Sequence, residues 1–250
     1  MKKVLGSANG VDEGVSVDDA LNTVCRSNEE GFARILRLYA RPGDTIADPT
    51  YGSGVFWKLA DRSLYRLHLT DLAADGVDAR AMPYEAATID VEVFDPPYRY
   101  TPAKNTKQDD VPGHGKVDGL YNLTAAKLTN TQAVIDLYVT AFREAHRVLK
   151  VGGFLVVKCQ DTVQDGKNIW VHCVLMSEAE QLGFACRDVV MVAPAAVLKT
   201  RWERQRHLRK AHSYFLVLRK GGHFPFGIPA MESRSSHTRA TSQEELFDGN

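Results

Sequence analysis

Short apolar runs that alternate with segments of helical periodicity are the feature that most constrains this chain of 250 residues. Strands are predicted at TIAD, LYRLHLTDL, ATIDVEVFDPPY and FLVVKCQD, and helices at SNEEGFARILRLYARPGD, VFWKLA and WVHCVLMSEAEQLG. The strongest helical pattern, TQAVIDLYVTAFREAHRVLK, is predicted to stop at Gly152-Gly153. This alternation predicts an α/β fold in which helices cover both faces of a mostly parallel sheet. No clear helix separates the last two strands, FACRDVVMVA and HSYFLVLRKG, which predicts an antiparallel finish.

Composition divides the chain into three parts. Residues 1–26 are polar and rich in Gly and Asp, and we interpret them as a loosely ordered lead-in. Residues 27–221 form one predicted domain, with a long loop of little periodicity at 99–130 and a basic insert at 194–210. Residues 222–250 are rich in Ser, Thr, Arg and Glu and are predicted to be a disordered tail.

The charge of the chain is balanced overall but uneven along its length. Residues 1–100 hold 11 Lys and Arg against 16 Asp and Glu, whereas residues 101–221 hold 18 against 11. A polyanion is therefore expected to meet the protein through its middle and late part.

Several classes of protein are disfavoured by composition. The four cysteines show no C-x-x-C spacing and the eight histidines no H-x-x-x-H spacing, which argues against a disulfide scaffold and against metal catalysis. No apolar stretch approaches the roughly 18 residues that span a bilayer. The first residues lack the apolar core of a secretory signal, so a cytoplasmic location is expected.

Three carboxylates follow predicted strands. Asp48, Asp71 and Asp95 each stand where a strand ends. Because ligands of an open α/β sheet bind at the carboxyl ends of its strands, we expect these three side chains to line one edge.

The stretch DPTYGSG, residues 48–54, predicts a turn that lies against a ligand. Gly52 and Gly54 allow close approach of the backbone, but Trp57 stands where G-x-G-x-x-G needs its third glycine, which disfavours a dinucleotide. Asp48 suits an amine-bearing or cationic ligand, and Asp71 is spaced to meet ribose hydroxyls. These features together favour S-adenosylmethionine. The alternative is a tight turn capped by Asp48.

The stretch DPPY, residues 95–98, follows an apolar strand. An exocyclic amine of a nucleobase must become more tetrahedral to attack a methyl group. A carboxylate (Asp95) and a backbone carbonyl (Pro96) that accept its hydrogens would favour this state. Pro97 adds rigidity to the turn, and Tyr98 can stack on a base flipped from its helix. The alternative is a rigid strand exit with a packing tyrosine.

The pair DPTYGSG and DPPY resembles the S-adenosylmethionine-dependent amino-methyltransferases of DNA, over about residues 27–220. The resemblance implies a Rossmann-like methyltransferase fold with a mostly parallel seven-stranded sheet and an antiparallel last strand. It implies a set of cofactor-binding residues: Ser27, Asn28, Asp48, Pro49, Gly52, Gly54, Asp71 and Asp78. It implies the catalytic residues Asp95, Pro96, Pro97 and Tyr98. The order of the motifs and the Asp of DPPY favour adenine N6 over cytosine N4.

Other substrates and functions remain open at this point. The chain has no segment long enough for a separate target-recognition domain, and the same tetrapeptide occurs in RNA amino-methyltransferases. A catalytically inactive nucleic-acid-binding module is a further alternative, while a protein-glutamine methyltransferase would be better served by Asn-Pro-Pro-Tyr.

The stretch KTRWERQRHLRK, residues 199–210, is the most basic part of the chain. We predict that it binds nucleic acid, because it places a tryptophan among cations that suit phosphates. The predicted contact residues are Lys199, Arg201, Trp202, Arg204, Arg206, Arg209 and Lys210. The alternative is a solvated charged segment.

Overall fold

The computed structural model describes residues 21–98, 128, 130–194 and 206–221. Its strands are β1 (Val24–Cys25), β2 (Thr45–Asp48), β3 (Arg66–Leu69), β4 (Ile89–Phe94), β5 (Leu149–Cys159), β6 (Thr162–Gln164), β7 (Lys167–Ile169), β8 (Phe184–Val192) and β9 (Ser213–Lys220). Its α-helices are α1 (Asn28–Tyr39), α2 (Leu72–Asp75), α3 (Thr131–Val148) and α4 (Val171–Gln181).

Seven of these strands form one sheet in the order β1-β8-β9-β5-β4-β2-β3. Strand β9 runs antiparallel to β5 and β8, and the other neighbours are parallel. The predicted fold class is therefore confirmed: the chain has the Rossmann-like methyltransferase architecture, with an antiparallel last strand in a mostly parallel sheet.

Two apolar layers cover the faces of the sheet. Helix α1 begins where Ser27 Oγ accepts the Glu30 N–H at 3.3 Å, and its residues Phe32, Ile35 and Leu36 are buried against one face. Helices α3 and α4 pack on the opposite face, where Tyr138 and Phe142 are fully buried. Side chains of successive strand residues alternate between these two layers.

The glycine pair after α3 does not end the helix, contrary to the prediction. Helix α3 stops at Val148, and β5 begins at the next residue and runs through Gly152 and Gly153. The pairing of β4 with β5 shifts register here, and a Cβ on Gly153 would lie 2.8 Å from the Asp90 carbonyl oxygen. The pair therefore serves close approach of two backbones rather than helix termination.

Three elements differ from the sequence prediction. Residues Val24–Cys25, placed in the lead-in, form an edge strand beside β8. Residues Thr162–Ile169, for which no element was predicted, form the hairpin β6–β7. The predicted helix at VFWKLA is a 3-10 turn, Val55–Leu59.

Several predicted features lie outside the described residues. These are most of the 99–130 loop, the first part of the basic insert and the 222–250 tail. Within the described ranges, no helix is both long and apolar enough to cross a bilayer.

Candidate active site

A cavity of about 210 Å³ opens at the carboxyl ends of β2, β3 and β4. The turn after β2 contributes Pro49, Thr50, Gly52 and Ser53, the segment after β3 contributes Asp71 and Asp78, and the end of β4 contributes Asp95, Pro96 and Pro97. The structure thus brings both sequence motifs to one site, as the topology of the sheet predicts.

The glycine turn has the backbone that its sequence predicts. Gly52 and Gly54 have φ angles of 51° and 67°, in the left-handed region that favours glycine. Gly52 lines the cavity, whereas a Cβ on Gly54 would lie 2.5 Å from the Tyr51 hydroxyl oxygen. The Tyr51 ring therefore lies directly against Gly54, and Gly54 shapes the turn by accommodating this ring.

Asp48 lies behind the turn and is only 3 % exposed. Its Oδ1 accepts the N–H of Thr50 at 3.1 Å and the Thr50 hydroxyl at 3.2 Å, and its Oδ2 accepts Trp57 Nε1–H at 2.8 Å. Burial raises the pKa of Asp48 to about 6. Since both oxygens already have protein partners, this arrangement favours a role in holding the turn rather than direct contact with a ligand.

Asp71 and Asp78 border the cavity on the side of β3. Asp71 caps the short helix α2, because its Oδ1 accepts the Ala73 N–H at 2.8 Å. Asp78 forms an ion pair with Arg80, with 2.6 Å between Oδ2 and Nη2, and hydrogen bonding from Arg80 lowers the pKa of Asp78. Arg80 also lines the cavity, so the ion pair of Asp78 and Arg80 lies at its wall.

Asp95 stands directly after β4 and is tied to the glycine turn. Its backbone N–H donates to the Thr50 hydroxyl at 2.8 Å, so a single threonine connects the two motifs. Its Oδ1 is buried and has no hydrogen-bond partner among the described residues. Burial is the main effect on this carboxyl and raises its pKa.

Two prolines and a tyrosine complete the DPPY turn. Pro96 is buried, and Pro97 and Tyr98 are half-buried. Pro96 and Pro97 line the cavity beside Asp95, whereas Tyr98 is the last described residue before residue 128 and is not part of the cavity wall.

Two predicted cofactor residues lie away from this cavity. Ser27 caps α1 through its side chain, and Asn28 is the first residue of that helix. Neither belongs to the cavity wall; Ser27 caps the helix, and the cofactor contact expected of the pair stays a prediction.

The connecting role of Thr50 was missed in the sequence. It occupies a variable position of D-P-x-x-G-S-G, and nothing in a linear pattern indicates that its hydroxyl meets a strand end 45 residues later.

The residues present fit S-adenosylmethionine. Asp71 offers a carboxylate for hydroxyls, the backbone at Gly52 and Ser53 is open to a ligand, and Leu72, Val77 and Phe94 provide apolar wall. Among the described residues, no group of three or more His, Cys, Asp or Glu is placed to hold a metal ion.

The described part of the basic insert lies beside the end of β5. Gln160 Nε2 donates to the carbonyl oxygens of Lys210 and His212, both at 2.9 Å. Lys210 Nζ lies 4.2 Å from the ring centroid of Trp170, which is 49 % exposed. Trp170 is therefore a surface ring paired with a cation.

The structure describes only some of the other residues that were predicted to contact nucleic acid. Arg206 is exposed and Arg209 is half-buried. Lys199, Arg201, Trp202 and Arg204 lie outside the described residues.

Solved structures with a similar fold include methyltransferases. The chain is 22 % identical to TTHA0409 of Thermus thermophilus, named as a DNA modification methylase and complexed with S-adenosyl-L-methionine, over 63 % of this chain and 58 % of that one, with a TM-score of 0.38. It is 18 % identical to TrmN of the same organism, over 78 % and 50 % of the two chains, with a TM-score of 0.39. It is 12 % identical to the methyltransferase-named BH2331 of Bacillus halodurans C-125, over 76 % and 99 %, with a TM-score of 0.45.

These structural likenesses are weak. At such identities and TM-scores they assign no function, and the chain spans little more than half of the length of TTHA0409. Comparison with curated protein sequences gives no significant match.

A family-level comparison is more informative. The sequence profile of a family described as DNA methylase matches residues 89–248, which begin at β4, include Asp95–Tyr98 and make up well over half of the 250 residues. This membership supports S-adenosylmethionine as the cofactor, as the sequence predicts. The matched region thus includes the buried strand that ends in Asp-Pro-Pro-Tyr beside the glycine-turn cavity. The chain belongs to the DNA methylase family.

Proposed function

We propose that this protein transfers a methyl group from S-adenosylmethionine to the exocyclic amine of a nucleobase, with adenine N6 in DNA as the target. One observation carries the proposal: the DPPY turn and the glycine turn form one cavity and are joined by the hydrogen bond from Asp95 N–H to Thr50 Oγ1. Family membership supports methylation of an amine, and the Asp of DPPY favours adenine over cytosine.

The residues of the β4 end orient the target amine. Asp95 accepts one N–H of the amine and the Pro96 carbonyl accepts the other, which favours a tetrahedral nitrogen with an available lone pair. The two prolines fix the positions of these acceptors, since their φ angles are restricted. When bound, S-adenosylmethionine supplies an electrophilic methyl group, so the chain needs no nucleophile of its own.

The cofactor is held by the turn after β2 and the segment after β3. Gly52 and Ser53 present backbone to it, and Asp71 accepts hydrogen bonds from its ribose hydroxyls. The Asp78–Arg80 pair lies beside the adenine end of the cofactor. Asp48, with both oxygens engaged by the turn and by Trp57, keeps this backbone in place.

The nucleic acid lies along the basic insert and the adjacent ring of Trp170. Lys210 and Trp170 offer a cation and a stacking surface next to the end of β5, the strand that pairs with β4. A DNA strand on this surface has its phosphates beside Arg206 and Lys210 while the target base enters the site.

Methyl transfer from labelled cofactor to duplex DNA, single-stranded DNA and RNA, measured in parallel and followed by nucleoside analysis, tests the proposal. We expect N6-methyladenine in DNA. N4-methylcytosine would correct the target base, and methylated RNA alone would correct the nucleic acid. Cofactor binding without transfer to any of the three substrates would support an inactive nucleic-acid-binding module instead.

A further inference from the structure

Lys158 is a buried lysine on β5 that the function proposed above leaves unexplained. It is only 1 % exposed, its Nζ donates to Ser213 Oγ at 2.7 Å, and it lies 4.2 Å from the ring centroid of Phe215. Lysine is almost never fully buried unless its charge is compensated, because removal from water is costly. A neutral hydroxyl and a ring face provide only part of this compensation.

The sheet places this lysine next to Asp95. Strands β4 and β5 are parallel, and their last paired residues are Phe94 and Val157, so that Asp95 and Lys158 follow on neighbouring strands. Residues alternate between faces, so both side chains project to the face where Val93 and Val156 pack under α1. Here Asp95 has a buried Oδ1 with no hydrogen-bond partner among the described residues.

Titratable groups on three strands act on this pair. Burial raises the pKa of Asp95, the carboxylate of Asp48 on β2 raises it further, and Lys158 on β5 lowers it. Burial lowers the pKa of Lys158, which Asp95, Cys159 and Cys25 on β1 raise. Lys158 is therefore the cation that opposes protonation of Asp95.

We propose that Lys158 is a positioning residue for methyl transfer: its buried ammonium holds the Asp95 carboxylate ionised, so that this group accepts hydrogen bonds from the target amine. The inference rests on the proposed function. A protonated Asp95 would present a donor to the amine and lose one of its acceptor sites. Ser213 and Phe215 hold the ammonium in place without neutralising it.

Titration of Asp95 by NMR tests the electrostatic part without cofactor or substrate. Protein labelled with ¹³C at the aspartate carboxyl carbon gives a signal for Asp95 that is identified by its loss in Asp95→Asn. In Lys158→Met we expect the apparent pKa of Asp95 to rise by about one unit or more. Lys158→Gln, which keeps a donor for Ser213 but removes the charge, should give the same rise. An unchanged Asp95 titration in the folded variants would overturn the inference.

The pH dependence of methyl transfer tests the functional part. Lys158→Met should lose most activity at low pH and recover as pH rises, by about tenfold per unit below the raised pKa. Lys150→Met is the matched control, because Lys150 lies on the same strand but pairs with Asp90 at its far end, at 2.7 Å. Its profile should match that of the parent. An equal loss at every pH in Lys158→Met would assign the lysine a merely structural role. If the parent transfers no methyl group, the proposed function fails, while the NMR titration still decides the coupling of Lys158 to Asp95.

Discussion

Asp95 and Thr50 connect two motifs that lie far apart in the sequence. The Thr50 hydroxyl accepts the Asp95 N–H and donates to Asp48 Oδ1, so the end of β4, the threonine and the turn carboxylate form one chain of hydrogen bonds. In the proposed function, chemistry at the amine and binding of the cofactor depend on different atoms of this shared network, so we expect single substitutions to separate them.

Replacement of Asp95 by alanine should abolish transfer and leave cofactor binding nearly intact. In the proposed function the carboxylate acts on the target amine, and removal of one such contact costs roughly 10²–10³ in kcat or more. Single-turnover kinetics and calorimetry with the cofactor measure the two effects. Asp90→Ala is the control, because Asp90 lies near the start of β4, where it pairs with Lys150, whereas Asp95 follows the end of this strand. The control variant should keep its activity. Loss of cofactor binding in Asp95→Ala would contradict this division of roles.

Replacement of Thr50 by valine should lower kcat about five- to tenfold. Valine keeps the shape but removes the acceptor for the Asp95 N–H, and one hydrogen bond contributes about 1 kcal/mol. Thr50→Ser retains the hydroxyl and should stay close to the parent. Methyl-transfer rates of the two variants under saturating cofactor make the comparison, and full kcat in the valine variant would show that the connection has no catalytic weight.

The location of the candidate site could be predicted from the sequence, but not every contact within it. Gly52, Asp71 and Asp95 lie at the cavity because strand ends of a parallel sheet share an edge, which the sequence pattern already indicates. The inward position of Asp48 depends on Trp57, and the contact of Gly54 depends on Tyr51. Such contacts depend on side-chain packing in three dimensions, which linear spacing does not specify.

At the scale of elements, periodicity predicted the long helices and buried strands. It failed where tertiary contacts determine the secondary structure. Gly153 resembles a helix stop in sequence, yet it lies in β5 against the Asp90 carbonyl. Strand β1 has only two residues and exists because β8 offers it a partner. Neither a two-residue edge strand nor a short polar hairpin carries a periodic signal of its own.

The prediction at the scale of elements concerns the basic insert. Arg201, Arg204 and Arg206 changed together to alanine should weaken nucleic-acid binding and spare cofactor binding. Each lost phosphate contact removes about 0.9 from the slope of log affinity against log salt on duplex DNA, so the slope should flatten by about two to three. Fluorescence anisotropy over a range of salt concentrations measures it.

A control for this variant comes from the opposite edge of the sheet. Arg41 and Arg66 lie near the amino ends of β2 and β3, away from the cavity, so their replacement by alanine should leave the salt slope unchanged. If the basic-insert variant also keeps the slope and affinity of the parent, the insert is a solvated segment and nucleic acid binds elsewhere.

At the scale of the whole molecule, the sheet buries the carboxyl group of Glu92, which belongs to neither motif. Glu92 lies in the middle of β4 between Ala47 on β2 and Leu155 on β5, and it is 0 % exposed. Neither of its carboxyl oxygens has a hydrogen-bond partner among the described residues. Burial raises the pKa of Glu92 well above its ordinary value, and the charges of Glu144 and Asp48 raise it further. The folded protein therefore keeps this group neutral at a pH where the unfolded chain ionises it.

Global stability should consequently depend on pH through Glu92. Because the folded pKa is raised, its contribution is fully present below the unfolded pKa near 4.3 and is lost as pH rises, at up to about 1.4 kcal/mol per unit. The Glu92→Gln variant cannot ionise at this position. Its free energy of unfolding should therefore rise relative to that of the parent as pH increases from about 4.5 to 7, in addition to any pH-independent difference that the amide introduces. Urea unfolding of both proteins across this range measures the difference. The contribution of Glu144 should instead stay constant over this range and be lost only as pH falls below about 4.5, because hydrogen bonding from Arg147 lowers the pKa of Glu144. A pH-independent difference between Glu92→Gln and the parent would mean that Glu92 is charged in the folded protein and has a partner beyond the described residues.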